Sequence, residues 1–156
     1  MNKYETLLDV AEQDGITVTE QFDLSDTRIK GLYCDNVIAI KHDLETDIEK
    51  ACVLAEELGH HYTTSGDIIE QRSVMDQKQE LRARLWAYNK MIGLQGLINS
   101  YKHGCSSLHE VAEFLDVTEE FLSDSLAAYR KQYGCYAQID NYIICFEPAL
   151  GVLEIL

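Results

Sequence analysis

Residues 52–62 read CVLAEELGHHY, and this segment is the most informative one in the chain. Thr46 and Glu49 have the spacing of a capping box just before it, which predicts a helix that runs to about His61. Gly59 lies inside this helix, where glycine costs about 1 kcal/mol relative to alanine. A glycine at this position therefore indicates a packing or access requirement.

The same helix carries a candidate metal site. Residues four apart lie on one face of a helix, so Glu56 and His60 are able to reach the same ion. Glu57 follows round the helix, where its carboxylate is able to hold a water molecule. This is the geometry of an H-E-x-x-H zinc helix in which Glu replaces the first His, and both ligand types bind zinc. The alternative is an ordinary solvated helix face.

A catalytic zinc site needs a third protein ligand and an open position for water. Glu80 is the leading candidate because it lies early in the next predicted long helix. Asp67, in the intervening loop, is a weaker one. His61 lies on the wrong side of the helix if His60 faces the metal, and it replaces His60 only if Glu57 becomes a ligand.

Composition limits the classes of function. The chain has 156 residues and a formal net charge of −14, which argues against direct nucleic-acid binding. The N-terminus lacks the apolar core of a secretory signal, and no apolar run is long enough for a membrane helix. The five cysteines are an odd number without a Cys-x-x-Cys pair, which is typical of a reducing compartment. We expect a cytoplasmic protein.

Hydrophobic periodicity and turn residues predict one compact α+β domain. A metal-site core spans residues 1–92, a helical part 93–134 and terminal strands 135–156. The predicted helices are 4–14, 46–61, 77–92, 96–102, 108–115 and 118–132, and the predicted strands are 16–18, 31–34, 37–40, 136–146 and 152–156.

Two motifs in the correct order resemble the ImmA/IrrE family of metallopeptidases, especially its phage and mobile-element members. The family pattern is A-H-E-L-G-H, which residues 52–62 approximate. It is followed by a helix of the form E-x-x-A-x-x-F-A, and residues 80–87 read ELRARLWA, with Trp86 in the aromatic position. The resemblance implies a zincin-like domain, in which the active-site helix packs on a small sheet before a helical part and C-terminal strands.

The resemblance also implies roles for particular residues. His60 matches the second histidine ligand, Glu80 the third ligand and Glu57 the catalytic glutamate. Glu56 occupies the position of the first histidine. Together they would hold Zn²⁺ and activate a water molecule for attack on a peptide bond. The strand Val37–Ile40 is expected to be the sheet edge that pairs with an extended substrate.

Three functions follow as hypotheses. The family implies an endopeptidase that cleaves or inactivates a helix-turn-helix repressor, relieving repression of a phage or mobile element. The alternative is a non-catalytic protein that sequesters a repressor or antitoxin-like partner. A transcriptional regulator is a third hypothesis, since residues 108–122 have the rhythm of a helix-turn-helix. Residues 110–124 contain six acidic residues and no Lys or Arg, so they favour a structural helix pair or a protein-docking surface.

Overall fold

The structure, a computed structural model, describes residues 1–21, 28–63 and 74–156, and the side chains of 74–76 are not described. The predicted polar turn at 23–27 and the alternative ligand Asp67 lie outside the described residues. The chain divides into two compact units, Met1–Ala87 and Tyr88–Leu156. Helices alternate with two small sheets, which confirms the predicted α+β class.

The described elements are numbered in chain order. Those of the first unit are α1 (Lys3–Gln13), β1 (Thr17–Thr19), β2 (Gly31–Cys34), β3 (Val37–Ile40), α2 (Asp47–Thr63) and α3 (Val74–Met91), of which the last residues belong to the second unit. Those of the second unit are α4 (Gly93–His103), α5 (Leu108–Leu115), α6 (Glu119–Tyr133), β4 (Tyr136–Ile139), β5 (Tyr142–Cys145) and β6 (Gly151–Glu154).

The strands β2 and β3 form the predicted hairpin. Gly31 pairs with Ile40 and Cys34 pairs with Val37, so the link is two residues long. Asp35 and Asn36 have φ angles of 47° and 64°, and two positive φ angles in succession make the type of turn that matches strand twist.

The strand Val37–Ile40 is not an edge, and this expectation was wrong. The strand order is β1-β3-β2, with β1 parallel to β3, so β3 has a neighbour on each side. Ile38 and Ile40 are fully buried, as an uninterrupted apolar run predicts for a central strand. Among the described residues, β2 has a strand partner on one side only, and it is the edge nearest to α2.

Helix α2 packs on β2 and β3, as predicted. Thr46 Oγ1 accepts a hydrogen bond from the Glu49 amide at 3.1 Å and caps the helix start. The Glu49 carboxylate forms an ion pair with Lys30 at 3.1 Å. Leu54 and Leu58 are fully buried along the inner side, so the sheet and the helix share one apolar layer.

In the second unit, α5 and α6 form the predicted acidic helix pair. Ser107 caps α5 and Thr118 caps α6, while Asp116 adopts a left-handed conformation that separates the two helices. Helix α4 begins at Gly93, earlier than predicted. The predicted strand 136–146 is instead a hairpin, because Asp140, with φ of 51°, reverses the chain between β4 and β5.

Candidate metal centre

The C-terminal half of α2 presents one face to β2. A Cβ atom built on Gly31 would lie 2.6 Å from Val53 Cγ1 and 3.0 Å from Glu57 Cγ. Only a residue without a side chain lets the strand approach Glu57 this closely. Gly31 was not among the site residues predicted from the sequence, although a glycine opening a short strand signals such an approach.

A second face of α2 approaches α3. A Cβ atom on Gly59 would overlap the backbone carbonyl of Ala83, which is itself buried. This confirms that the mid-helix glycine has a packing reason. The alanines of the E-x-x-A-x-x-F-A pattern are explained in the same way, because Ala83 and Ala87 are small, buried residues.

The close approach of the helices brings His60 and Glu80 together. His60 Nε2 lies 3.1 Å from Glu80 Oε2, and Arg84 Nε lies 3.2 Å from Glu80 Oε1. The hydrogen bond between His60 and Glu80 raises the pKa of His60 and lowers the pKa of Glu80. Two ligands of one tetrahedral zinc ion lie roughly 3.3–3.5 Å apart. The pair therefore fits zinc in donor type and in spacing.

Glu57 lies on the face of α2 that meets β2 and is only partly accessible to solvent. Burial raises its pKa to about 7, the nearby charge of His60 lowers it, and the carboxylates of Glu56 and Glu80 raise it further. A carboxyl group with a pKa near neutrality is able both to accept and to release a proton at physiological pH. This is the property that a general base requires.

The remaining predicted ligand, Glu56, is half-buried, and its charge acts on both Glu57 and His60. In the part of the chain that the structure describes, no three His, Cys, Asp or Glu side chains are grouped to hold a metal ion. His60 and Glu80 thus supply a fitting pair, and the assignment of Glu56 as the ligand in the first-histidine position stays a prediction.

His61 contacts β2. Its Nδ1 lies 2.8 Å from the hydroxyl of Tyr33, and the two rings meet edge to face. His61 therefore faces β2, whereas His60 faces Glu80 of α3. Tyr62 stacks on Trp86 with ring centroids 4.9 Å apart, so the aromatic position of the second motif packs against α2.

Glu and His at these spacings on α2, with a carboxylate of α3 beside the histidine, are the arrangement that the resemblance to metallopeptidases predicts. The family model described as IrrE N-terminal-like domain, Peptidase_M78, matches residues 11–126. The chain belongs to this family, and the resemblance to ImmA/IrrE proteins is confirmed. No curated protein and no solved structure matches the chain. Among the described helices, none has the length and apolar character needed to cross a membrane.

Proposed function

We propose that this protein is a zinc-dependent endopeptidase whose reaction centre lies between α2, α3 and β2. The observation that carries the proposal is the contact of 3.1 Å between His60 and Glu80, beside a carboxyl group with a pKa near neutrality. The family match to a metallopeptidase class supports the same chemistry.

In this proposal His60, Glu80 and Glu56 hold the ion. When bound, zinc would polarise the scissile carbonyl and lower the pKa of a water molecule, so that the water loses a proton near pH 7 and is able to attack. Glu57 accepts the proton of the attacking water on a carboxylate oxygen and then donates it to the leaving amine. Its position beneath β2 keeps it next to a peptide that pairs with that strand.

The proposed substrate is a helix-turn-helix repressor of a phage or mobile element, met in the cytoplasm. This part of the proposal is supported by the resemblance of the two motifs to mobile-element members of the family. The strongly acidic chain, with its net charge of −14, favours a basic partner protein over direct contact with nucleic acid.

A second candidate is a binding protein that sequesters a repressor or antitoxin-like partner without cleaving it. One observation favours it, namely that the described residues contain no assembled group of three metal donors. The two functions differ in what happens to the partner, which is cut in the first case and stays intact in the second.

The experiment compares the parent with Glu57→Gln, a change that keeps the shape of the side chain but removes its ability to accept a proton. Each protein is loaded with zinc and incubated with a lysate of the source cells, and new protein N-termini are identified by mass spectrometry. The peptidase proposal predicts new N-termini in DNA-binding repressors with the parent alone. If the same termini appear with both proteins, or none appears while an intact repressor co-purifies with both, the peptidase proposal is wrong.

A further inference from the structure

We infer that Tyr33 and His61 form a positioning pair, which fixes the edge strand β2 over Glu57 and so aligns an extended peptide for cleavage. The inference rests on the proposed peptidase function. It goes beyond that function because neither residue is among the proposed ligands or is the proposed base.

The contact joins two elements that are distant in sequence. The Tyr33 hydroxyl lies 2.8 Å from His61 Nδ1, across 28 residues of chain. The ring centroids are 5.5 Å apart, with an interplanar angle of 73°. Both side chains are half-buried, so the hydrogen bond is partly shielded from water and is more persistent than an exposed one.

The contacts of β2 with α2 follow a regular pattern. Val53, Glu57 and His61 are four residues apart and lie on one face of the helix. Gly31 and Tyr33 are two residues apart and point to one face of the strand. Gly31 meets Val53 and Glu57, and Tyr33 meets His61, so the strand runs along the helix. The pair holds one end of this contact and the glycine holds the other.

This arrangement controls where a substrate would lie. A peptide that adds to the outer edge of β2 takes its position from the main chain of that strand. Glu57 is directly below Gly31, so the height and tilt of β2 set the distance between a paired peptide and the proposed base. A misplacement of about 1 Å is enough to reduce a rate by about 100-fold.

The test uses three variants and a matched control. Tyr33→Phe and His61→Leu each remove the bond, while His61→Asn keeps a hydrogen-bonding group near the position of Nδ1. The control is Tyr62→Phe, which removes a neighbouring tyrosine hydroxyl that donates a hydrogen bond to Asp14. In the metal-free proteins, we expect amide hydrogen exchange in β2 to be about fivefold faster in Tyr33→Phe than in the control.

The second readout uses two probes on the zinc-loaded proteins. Acetohydroxamate binds a metal ion only, whereas N-acetyl-dileucine hydroxamate also extends along the edge strand. We expect Tyr33→Phe and His61→Leu to weaken the dileucine probe about tenfold and to leave acetohydroxamate binding unchanged, because a lost edge contact affects only the longer ligand. His61→Asn should restore the binding of the dileucine probe.

The possible failures are distinguishable. Equal weakening of both probes, or no difference between Tyr33→Phe and Tyr62→Phe, overturns the positioning role and leaves the peptidase proposal intact. If the parent binds neither zinc nor acetohydroxamate, the proposed function fails and the inference fails with it.

Discussion

The surroundings of Glu57 differ from those of an ordinary surface carboxylate. Glu57 lies under Gly31, beside two other carboxylates, and its pKa is raised by burial from 4.5 to about 7. A raised pKa means that the folded state binds a proton more tightly than the unfolded state does, so ionisation of Glu57 destabilises the fold. The ionised carboxylate proposed as the catalytic base therefore lowers the free energy of unfolding.

This cost gives a pH-dependent prediction. In the metal-free protein, Glu57→Gln should have the same free energy of unfolding as the parent below about pH 4.5, where Glu57 is protonated in both states. As the pH rises from about 4.5 to about 7, the parent should become less stable than the variant, and the difference should level off at about 1–2 kcal/mol above pH 7. Urea unfolding at several pH values measures this difference, and a variant that is less stable than the parent at pH 8 would contradict it.

The partners of single residues were the part of the site that the sequence predicted least well. Helical spacing alone gives the relation of Glu56 to His60, and the place of Glu80 early in the next helix suggests it as a partner. The contact of His61 with Tyr33 depends on the packing of a strand against a helix 28 residues away, and no local pattern encodes it.

Another residue-level prediction concerns His109 in the acidic helix pair. Its Nδ1 lies 2.7 Å from Glu119 Oε1, and its Nε2 lies 3.7 Å from Glu113 Oε2. The hydrogen bond with Glu119 is the main cause that raises the pKa of His109. In an NMR titration, Glu119→Gln should lower this pKa more than Glu113→Gln does. Equal effects of the two variants would show that the hydrogen bond does not form.

At the scale of elements, the approach of α2 to α3 depends on Gly59. The variant Gly59→Ala places a methyl group against the Ala83 carbonyl, so the helices must separate. We expect a loss of about 1–3 kcal/mol in the free energy of unfolding. Zinc affinity should also fall, because Glu80 moves away from His60.

The matched control is Gly96→Ala in α4. Its new Cβ would lie 3.3 Å from the end of the Leu115 side chain. Alanine also has a higher helix propensity than glycine, which offsets the small steric cost of this contact. Urea denaturation should place this variant within about 1 kcal/mol of the parent. If both alanine variants behave alike, the contact between Gly59 and Ala83 does not set the helix spacing.

Local signals explain which elements were predicted correctly. Thr46 precedes the helix that it was expected to start, because capping is a contact within one turn, and Ser107 and Thr118 cap α5 and α6 in the same way. The prediction that Val37–Ile40 is an edge strand was wrong because the pairing of β1 with β3 is a long-range contact. The division of 136–146 into two strands depends on a turn at Asp140. The turn was not predicted because the residues on both sides of it have the pattern of a strand.

At the scale of the whole molecule, the family match spans residues 11–126 and so includes both proposed ligands that are in contact. By resemblance to the family pattern, Glu56 stands where the first histidine is expected. Glu56→His should bind zinc at least as tightly as the parent does, since imidazole is also a good zinc ligand at this spacing. Glu56→Ala should bind it more weakly, and a Glu56→Ala variant with unchanged affinity would exclude Glu56 as a ligand and direct attention to Asp67.

The zinc content of the purified protein tests the central claim most directly. Elemental analysis and competition with a chelating dye should find about one zinc ion per chain in the parent and in Glu57→Gln, because Glu57 is proposed as a base and not as a ligand. Glu80→Ala should lose zinc, because it removes the carboxylate that lies 3.1 Å from His60. A parent that binds no zinc, or a Glu80→Ala variant that binds it as tightly as the parent does, would contradict the proposed metal centre.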